Sequence, residues 1–272
     1  MDRMQSFFNA LRRWLEDLLF PIRMRLGRKI MWIPERKIVQ ISQTTLIKGP
    51  VSQQEIEAMR FVAANAAPSA SILGSKAATV CLPAIRRTYQ RSDGLYVAMD
   101  FVEGDRLDLL WPKLNGDMQE ALMEQIWAQV TTIRALTTPK RLHDIAVGSA
   151  ITGRGVHDGI LSLEPVGPFA SLADFCDFLR LCPNIEYFQH LLDGGEDDGD
   201  EPVSVFSHAD ICGRNIIIRR SDGMPCLIDW ELAGWWPPRW EYVKARFTDF
   251  PVLPGWIEMF EGVSGMKELY GK

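Results

Sequence analysis

No stretch of this 272-residue chain approaches the roughly 18 uncharged apolar residues that a membrane-crossing helix needs. The opening residues MDRMQSFF start on charge and lack both the apolar block and the small-residue cleavage site of an export signal, so a cytoplasmic protein is expected. Cysteine is scarce and unpatterned. Cys81, Cys176, Cys182, Cys212 and Cys226 are odd in number, lie far apart and include no C-x-x-C pair, which argues against zinc or dithiol chemistry and points to reduced thiols. Excess basic charge is missing as well. A net charge of −5 offers nucleic acid no overall attraction, so a polyanion partner is not expected. What remains, 47% hydrophobic and 24% charged residues, is the make-up of a folded globular chain. The sequence carries no signal for an oligomeric state.

Met4, Phe7, Phe8, Leu11, Leu15, Leu18 and Leu19 recur at helical spacing with Arg12, Arg13, Glu16 and Asp17 on the other face. This predicts an amphipathic helix that ends at Pro21. Its polar face carries both charge signs, which favours packing on the neighbouring lobe over a membrane surface. KIVQI, the turn at Ser42 and Gln43, and TTLIK read as two short strands that end at Gly49 and Pro50. Ser52, three residues before Glu55, has capping-box spacing and opens a helix to about Ala64. AIRRTYQ and LYVAMDFV form a second hairpin around Ser92, Asp93 and Gly94. Beyond Gly104 the pattern turns helical over 117–136, 171–181 and 184–192, with an acidic loop at 193–201. Strands first and helices later predict an α+β architecture: a small antiparallel-sheet lobe over 1–98 and a larger, mainly helical lobe over 99–272, joined by a linker around 99–104.

One strand pair lies inside the helical half. SHADICGRNIIIRRSDGMPCLIDWE sets His208, Asp210, Asn215 and Asp229 in the order H-x-D-x-x-x-x-N, strand, turn, strand, acid. Pairing Arg219 with Pro225 across the turn would set Ile216 opposite Ile228 and Asn215 level with Asp229. An amide oxygen and a carboxylate then meet at the open end of the hairpin. That is enough protein for magnesium, which keeps much of its octahedron for water and phosphates. Asp210, on the loop feeding the hairpin, can face an acceptor hydroxyl, as the loop aspartate of kinases does. Trp230, Trp235, Trp236, Trp240 and Trp256 could build an aromatic box for a quaternary amine, but their spacing favours packing.

HADICGRNIII followed by LIDWELAGWWPPRWEYVKA resembles the catalytic and metal motifs of the aminoglycoside phosphotransferase and choline kinase family, in particular its fungal-type branch. TTLIKGPVSQQEIEAMRFV, LYVAMDFVEGDRLDLLWPKL and VGPFASLADFCDFL extend the likeness across roughly residues 37 to 250. The resemblance implies a protein-kinase-like fold and an ATP- and Mg2+-dependent phosphotransferase acting on a hydroxyl of a small molecule. It implies Asp210 as base with His208 bracing the catalytic loop, and Asn215 and Asp229 as magnesium ligands. Lys48 matches the lysine on the ATP phosphates, Glu55 the helix glutamate that pairs with it, and Asp100 and Val102 the adenine-side linker. Met59 and Val62 share a helix face with Glu55, which predicts that Glu55 turns inward and Glu57 outward.

The motifs depart from the family in two places that bear on chemistry. WIPERK stands where a glycine-rich phosphate loop would precede KIVQI, and the catalytic loop carries Ala209 and Cys212-Gly213 where relatives often have glycine and His-Pro. The missing glycines leave a second reading open, a nucleotide-binding pseudokinase or scaffold. A protein kinase is disfavoured, because Asp229 runs straight into WELAGWW without an activation segment.

Overall fold

The computed structural model describes residues 2–66, 79–182, 204–247 and 253–265. The chain folds as two compact units, residues 1–52 with 84–101, and residues 53–83 with 102–272. The helix after Ser52 therefore groups with the second unit, whereas the sequence pattern predicts one continuous first lobe to residue 98.

The first unit opens with α1 (Asp2–Leu26), followed by β1 (Arg28–Ile33), β2 (Arg36–Ser42), β3 (Thr45–Val51), β4 (Ile85–Arg91) and β5 (Gly94–Asp100). The strands form one antiparallel sheet in the order β1-β2-β3-β5-β4. Two expectations fail here. Helix α1 does not stop at Pro21, because Phe20 and Met24 anchor its last turns in a core with Val39, Ile47, Tyr89, Tyr96 and Ala98. Side-chain burial on this scale outweighs the one backbone hydrogen bond that proline removes. Arg87 adds ion pairs of 2.8 Å to both Glu16 and Asp17. Nor does the lobe cover the predicted apolar stripe, since Met4, Phe7, Phe8, Leu11, Leu15, Leu18 and Leu19 are all exposed.

Strand β3 likewise runs through Gly49 and Pro50 to Val51. Its pairing with β5 bulges between Lys48 and Val51, and a Cβ on Gly49 would lie 2.4 Å from the Tyr96 ring. The glycine admits the tyrosine and the bulge absorbs the proline, so the strand continues. Between β1 and β2, where the sequence has no glycine-rich loop, Pro34 and Glu35 make a tight turn.

The second unit contains α2 (Gln53–Asn65), β6 (Gly104–Arg106), α3 (Leu107–Leu110), α4 (Gly116–Arg134), β7 (Val156–Asp158), β8 (Ser162–Val166), α5 (Leu172–Leu179), β9 (Val205–Ser207), β10 (Ile216–Arg219), β11 (Pro225–Leu227), β12 (Gly234–Trp236), α6 (Trp240–Phe247) and α7 (Trp256–Ser264). Helix α5 starts on a full capping box between Ser171 and Asp174. The helix predicted over 184–192 and the acidic run at 193–201 lie outside the described residues. All five tryptophans weighed as an aromatic box are fully buried, with Trp236 stacked on Trp240 at 4.6 Å and Trp235 against Phe61 and Phe206. They are core.

Candidate active site

The loop from β9 to β10 carries His208, Asp210 and Asn215, and its backbone is strained. Ala209 adopts a left-handed φ of 61°, a conformation that glycine takes freely and alanine at a cost of about 1–3 kcal/mol. Glu241, in the first turn of α6, holds it there. Its fully buried carboxylate accepts the His208 N–H at 2.9 Å and the Ala209 N–H at 3.1 Å. Burial pushes the Glu241 carboxyl up to about 7, while these backbone donors and the Arg134 cation pull it back. Helix α6 is itself fastened from below by a buried Lys244–Asp158 ion pair of 2.8 Å to β7.

Around this anchor the polar side chains lock together. The His208 ring rests on Trp230 at 4.6 Å, and its Nε2 lies 3.2 Å from the Ile228 carbonyl, which ties the loop to the end of β11. A carbonyl can only accept, so Nε2 carries the proton. Asp210 is buried. Asn215 Nδ2 donates to its Oδ2 at 2.6 Å and to its backbone oxygen at 3.1 Å, and Arg214 Nη2 approaches Oδ1 at 3.2 Å. Both amide hydrogens of Asn215 thus point at Asp210, which leaves the amide oxygen as the end turned to other partners. Gly213 sits in a tight space, where a Cβ would come within 2.6 Å of the Leu253 side-chain tip and 3.1 Å of the Asp108 backbone. Burial and the nearby Asp210 charge push the Cys212 thiol up to about 12, so it is an inert neutral group.

Across the hairpin the register differs from the expected one by a residue. Ile216 pairs with Leu227 and Ile218 with Pro225, because a four-residue turn closes on the Gly223 N–H bond to the Arg219 carbonyl, with Gly223 at φ 71°. Asn215 instead comes level with Ile228, whose N–H donates to the Asn215 carbonyl at 2.9 Å. The next residue is Asp229, the second strained position, with φ 64°. Its carboxylate does not stand alone: single oxygens of Glu55, Asp229 and Glu231 lie within 4.8 Å of one another. Three carboxylates that close repel unless a cation joins them, and hard oxygen donors of this kind suit magnesium.

Glu55 reaches that cluster because α2 is pinned by polar contacts. Gln54 donates to the Ala233 carbonyl at 3.0 Å and accepts the His157 N–H at 2.8 Å. Glu57, expected to point outward, is buried instead and accepts from the Thr152 N–H at 3.1 Å and from the Ser149 and Thr152 hydroxyls. The helix pattern shows one neighbour, whereas the fold brings a second, the 149–154 segment, against the opposite face.

The remaining expected residues lie on the sheet unit or at its border. Lys48 is buried on β3, opposite Ile38 of β2 and Val97 of β5. Asp100, at the end of β5, donates its N–H to the Ala84 carbonyl at 3.0 Å and pairs with Arg86 at 2.6 Å, and the following Phe101 N–H goes to the Thr44 carbonyl. Val102 is half-buried just beyond. Sequence reasoning missed Glu241, Glu231 and Arg214. A carboxylate inside the aromatic run WPPRWEYV and a second acid two places after Asp229 were the available signals.

The chain matches the phosphotransferase enzyme family over residues 38–270 and belongs to it. No curated protein sequence matches it. Solved structures share the fold at low identity. An aminoglycoside 2′-phosphotransferase-IIIa variant in its GDP complex matches at TM-score 0.57 and 13% identity, over 93% of this chain and 81% of that one. Aminoglycoside phosphotransferase APH(3″)-Id from Streptomyces rimosus matches at 0.50 and 18%, over 94% and 92%. ADP-bound APH(2″)-Ib matches at 0.50 and 12%, over 92% and 84%. The α+β architecture is thus that of protein-kinase-like phosphotransferases.

Proposed function

We propose that this chain moves the γ-phosphoryl group of ATP to a hydroxyl of a small metabolite or amino-sugar-like molecule. The observation that carries the reading is the pairing of Asp210 with Asn215 on one loop, beside a hairpin end where Glu55, Asp229 and Glu231 converge. In this reading Asp210 accepts the proton of the attacking hydroxyl as the new O–P bond forms and the bond to the β-phosphate oxygen breaks, releasing ADP. Asn215 and Arg214 hold its carboxylate in one orientation, so little reorganisation is needed at the moment of transfer. Glu241 and His208 position the loop rather than touch substrate. The Asn215 amide oxygen and Asp229 would hold magnesium, which when bound neutralises phosphate charge. Glu231, and Glu55, which the resemblance pairs with the lysine, stand among these metal-side oxygens. Lys48 is assigned to the ATP phosphates, and Asp100 with Val102 to the adenine side, on the motif resemblance.

We read residues 1–98 as the nucleotide lobe and 99–272 as the catalytic and substrate lobe, in a cytoplasmic enzyme with reduced thiols; the residues of the catalytic and metal motifs support the fungal-type branch. The braced, strained loop favours turnover over a nucleotide-binding scaffold, which has no need to hold Asp210. Aminoglycosides named for the solved neighbours make amino sugars the first acceptors to try. The test is 31P NMR of the protein with ATP and a panel of amino sugars, choline-like amines and hydroxylated metabolites, with and without magnesium. A new phosphomonoester that requires both magnesium and one acceptor is expected. Nucleotide binding of equal strength with and without magnesium, and no product from any acceptor, would refute the reading.

A further inference from the structure

Large apolar side chains are not spread evenly over the surface. Among the described residues, 14 of the 18 exposed ones lie between Met4 and Ile33, which makes that segment, not the chain as a whole, the feature to explain. On α1 they are ordered. At about 100° per residue, Met4, Phe7, Phe8, Leu11, Trp14, Leu15, Leu18, Leu19, Ile22 and Leu26 fall within an arc of roughly 140°. Phe20 and Met24, the residues that seat the helix in its own core, fall on the opposite side. The stripe therefore faces away from the sheet unit and is continuous along the helix. Beyond Gly27 the exposure carries on through the edge strand β1, with Ile30, Met31, Trp32 and Ile33 uncovered.

We propose that α1 and β1 dock this chain on the surface of an anionic lipid bilayer. Charge selects the lipid. Residues 1–33, the span of α1 and β1, hold seven Lys and Arg against three Asp and Glu, a surplus of four positive charges in a chain whose total is −5. Arg25 is exposed near one edge of the stripe, where its long stem lets the cation reach phosphate while the stripe enters the acyl boundary. Trp14 and Trp32 are exposed within the segment, and Lys29 lies 4.9 Å over the Trp32 ring, an aromatic and basic mixture suited to the headgroup layer. A second copy seated on the same face would bring two such positive segments together without a counter-charge. No described helix is long and apolar enough to cross a membrane, so the helix lies in the interface.

Flotation of the full chain with phosphatidylcholine vesicles, with and without about 30% phosphatidylserine, tests the proposal. We expect binding roughly tenfold or more stronger to the anionic vesicles, weakened by high salt, since each basic residue near such a surface adds to the attraction. Leu11→Glu, Leu15→Glu and Leu18→Glu together should abolish it without lowering the melting temperature, because all three side chains already face solvent. Arg25→Glu with Lys29→Glu should remove the preference for anionic lipid. Failure of the wild type to float, or equal flotation of the triple variant, would overturn the proposal. So would a dimer in sedimentation velocity that the triple variant dissociates while vesicles bind neither form, which would give the face to a second copy. None of these readouts depends on phosphotransfer.

Discussion

Helix α1 carries an unbroken apolar stripe and leaves it uncovered, whereas α2, whose apolar residues are interrupted by Gln54, Glu55 and Glu57, is buried on nearly every side. The difference lies in what each helix finds around it. Two side chains, Phe20 and Met24, seat α1, and its stripe has no protein to meet among the described residues. Helix α2 meets partners for its polar atoms in segments about a hundred or more positions later: His157 and Ala233 for Gln54, Ser149 and Thr152 for Glu57. Periodicity reports that a face exists. It does not report what covers it, and it undervalues polar residues whose partners are remote in sequence.

Substitutions can sharpen this contrast. The largest effect on stability is expected within α1 itself, on its seated side. Phe20 packs against Tyr89 at 4.9 Å and Tyr96 at 5.2 Å, so Phe20→Ala should cost about 3–5 kcal/mol in urea unfolding. Next comes Glu57→Ala, which leaves the Thr152 N–H and one of the Ser149 and Thr152 hydroxyls without an acceptor and should cost about 1–3 kcal/mol, with partial recovery in Glu57→Gln. A loss below that of an ordinary surface change would mean that α2 is not held by its polar contacts.

Glu241 gives a smaller, pH-dependent signature. Its carboxyl is raised to about 7 by burial, above the unfolded value of 4.5, so the folded state binds the proton more tightly. The stability this adds is fully present below pH 4.5 and is lost as pH rises through about 7, with a slope of at most ~1.4 kcal/mol per pH unit. Glu241→Gln should remove that slope, and parallel stability curves for the two proteins between pH 5 and pH 7 would contradict it. The smallest effect is expected back on α1. Leu18→Ala, on the uncovered stripe, should change stability by no more than about 0.5 kcal/mol, and a larger loss would reveal a protein partner for the stripe.

The gathering of the candidate residues was legible because it is local. His208, Asp210 and Asn215 share one loop, and the hairpin that follows carries Asp229 to the same end whether or not its register slips by a residue. The slip itself was hidden in the turn, where Gly223 closes four residues rather than five. Pro21 and Gly49-Pro50 read as stops on local grounds, and packing of Phe20, Met24 and Tyr96 carried helix and strand through them. Glu241 was beyond reach for another reason. It serves the backbone of residues more than thirty positions earlier, and nothing about a glutamate opening a helix announces that the Ala209 N–H lies above it.

In the proposed function the braced loop presents Asp210 to an acceptor hydroxyl. Measuring turnover and nucleotide affinity side by side in the wild type and Asp210→Asn tests it most directly, since asparagine keeps the size of the side chain and removes its capacity as a base. If Asp210 is the base, kcat falls by about 10²- to 10⁴-fold while MgATP affinity is unchanged. Turnover that survives the substitution, or a loss of nucleotide binding equal to the loss of turnover, would contradict it.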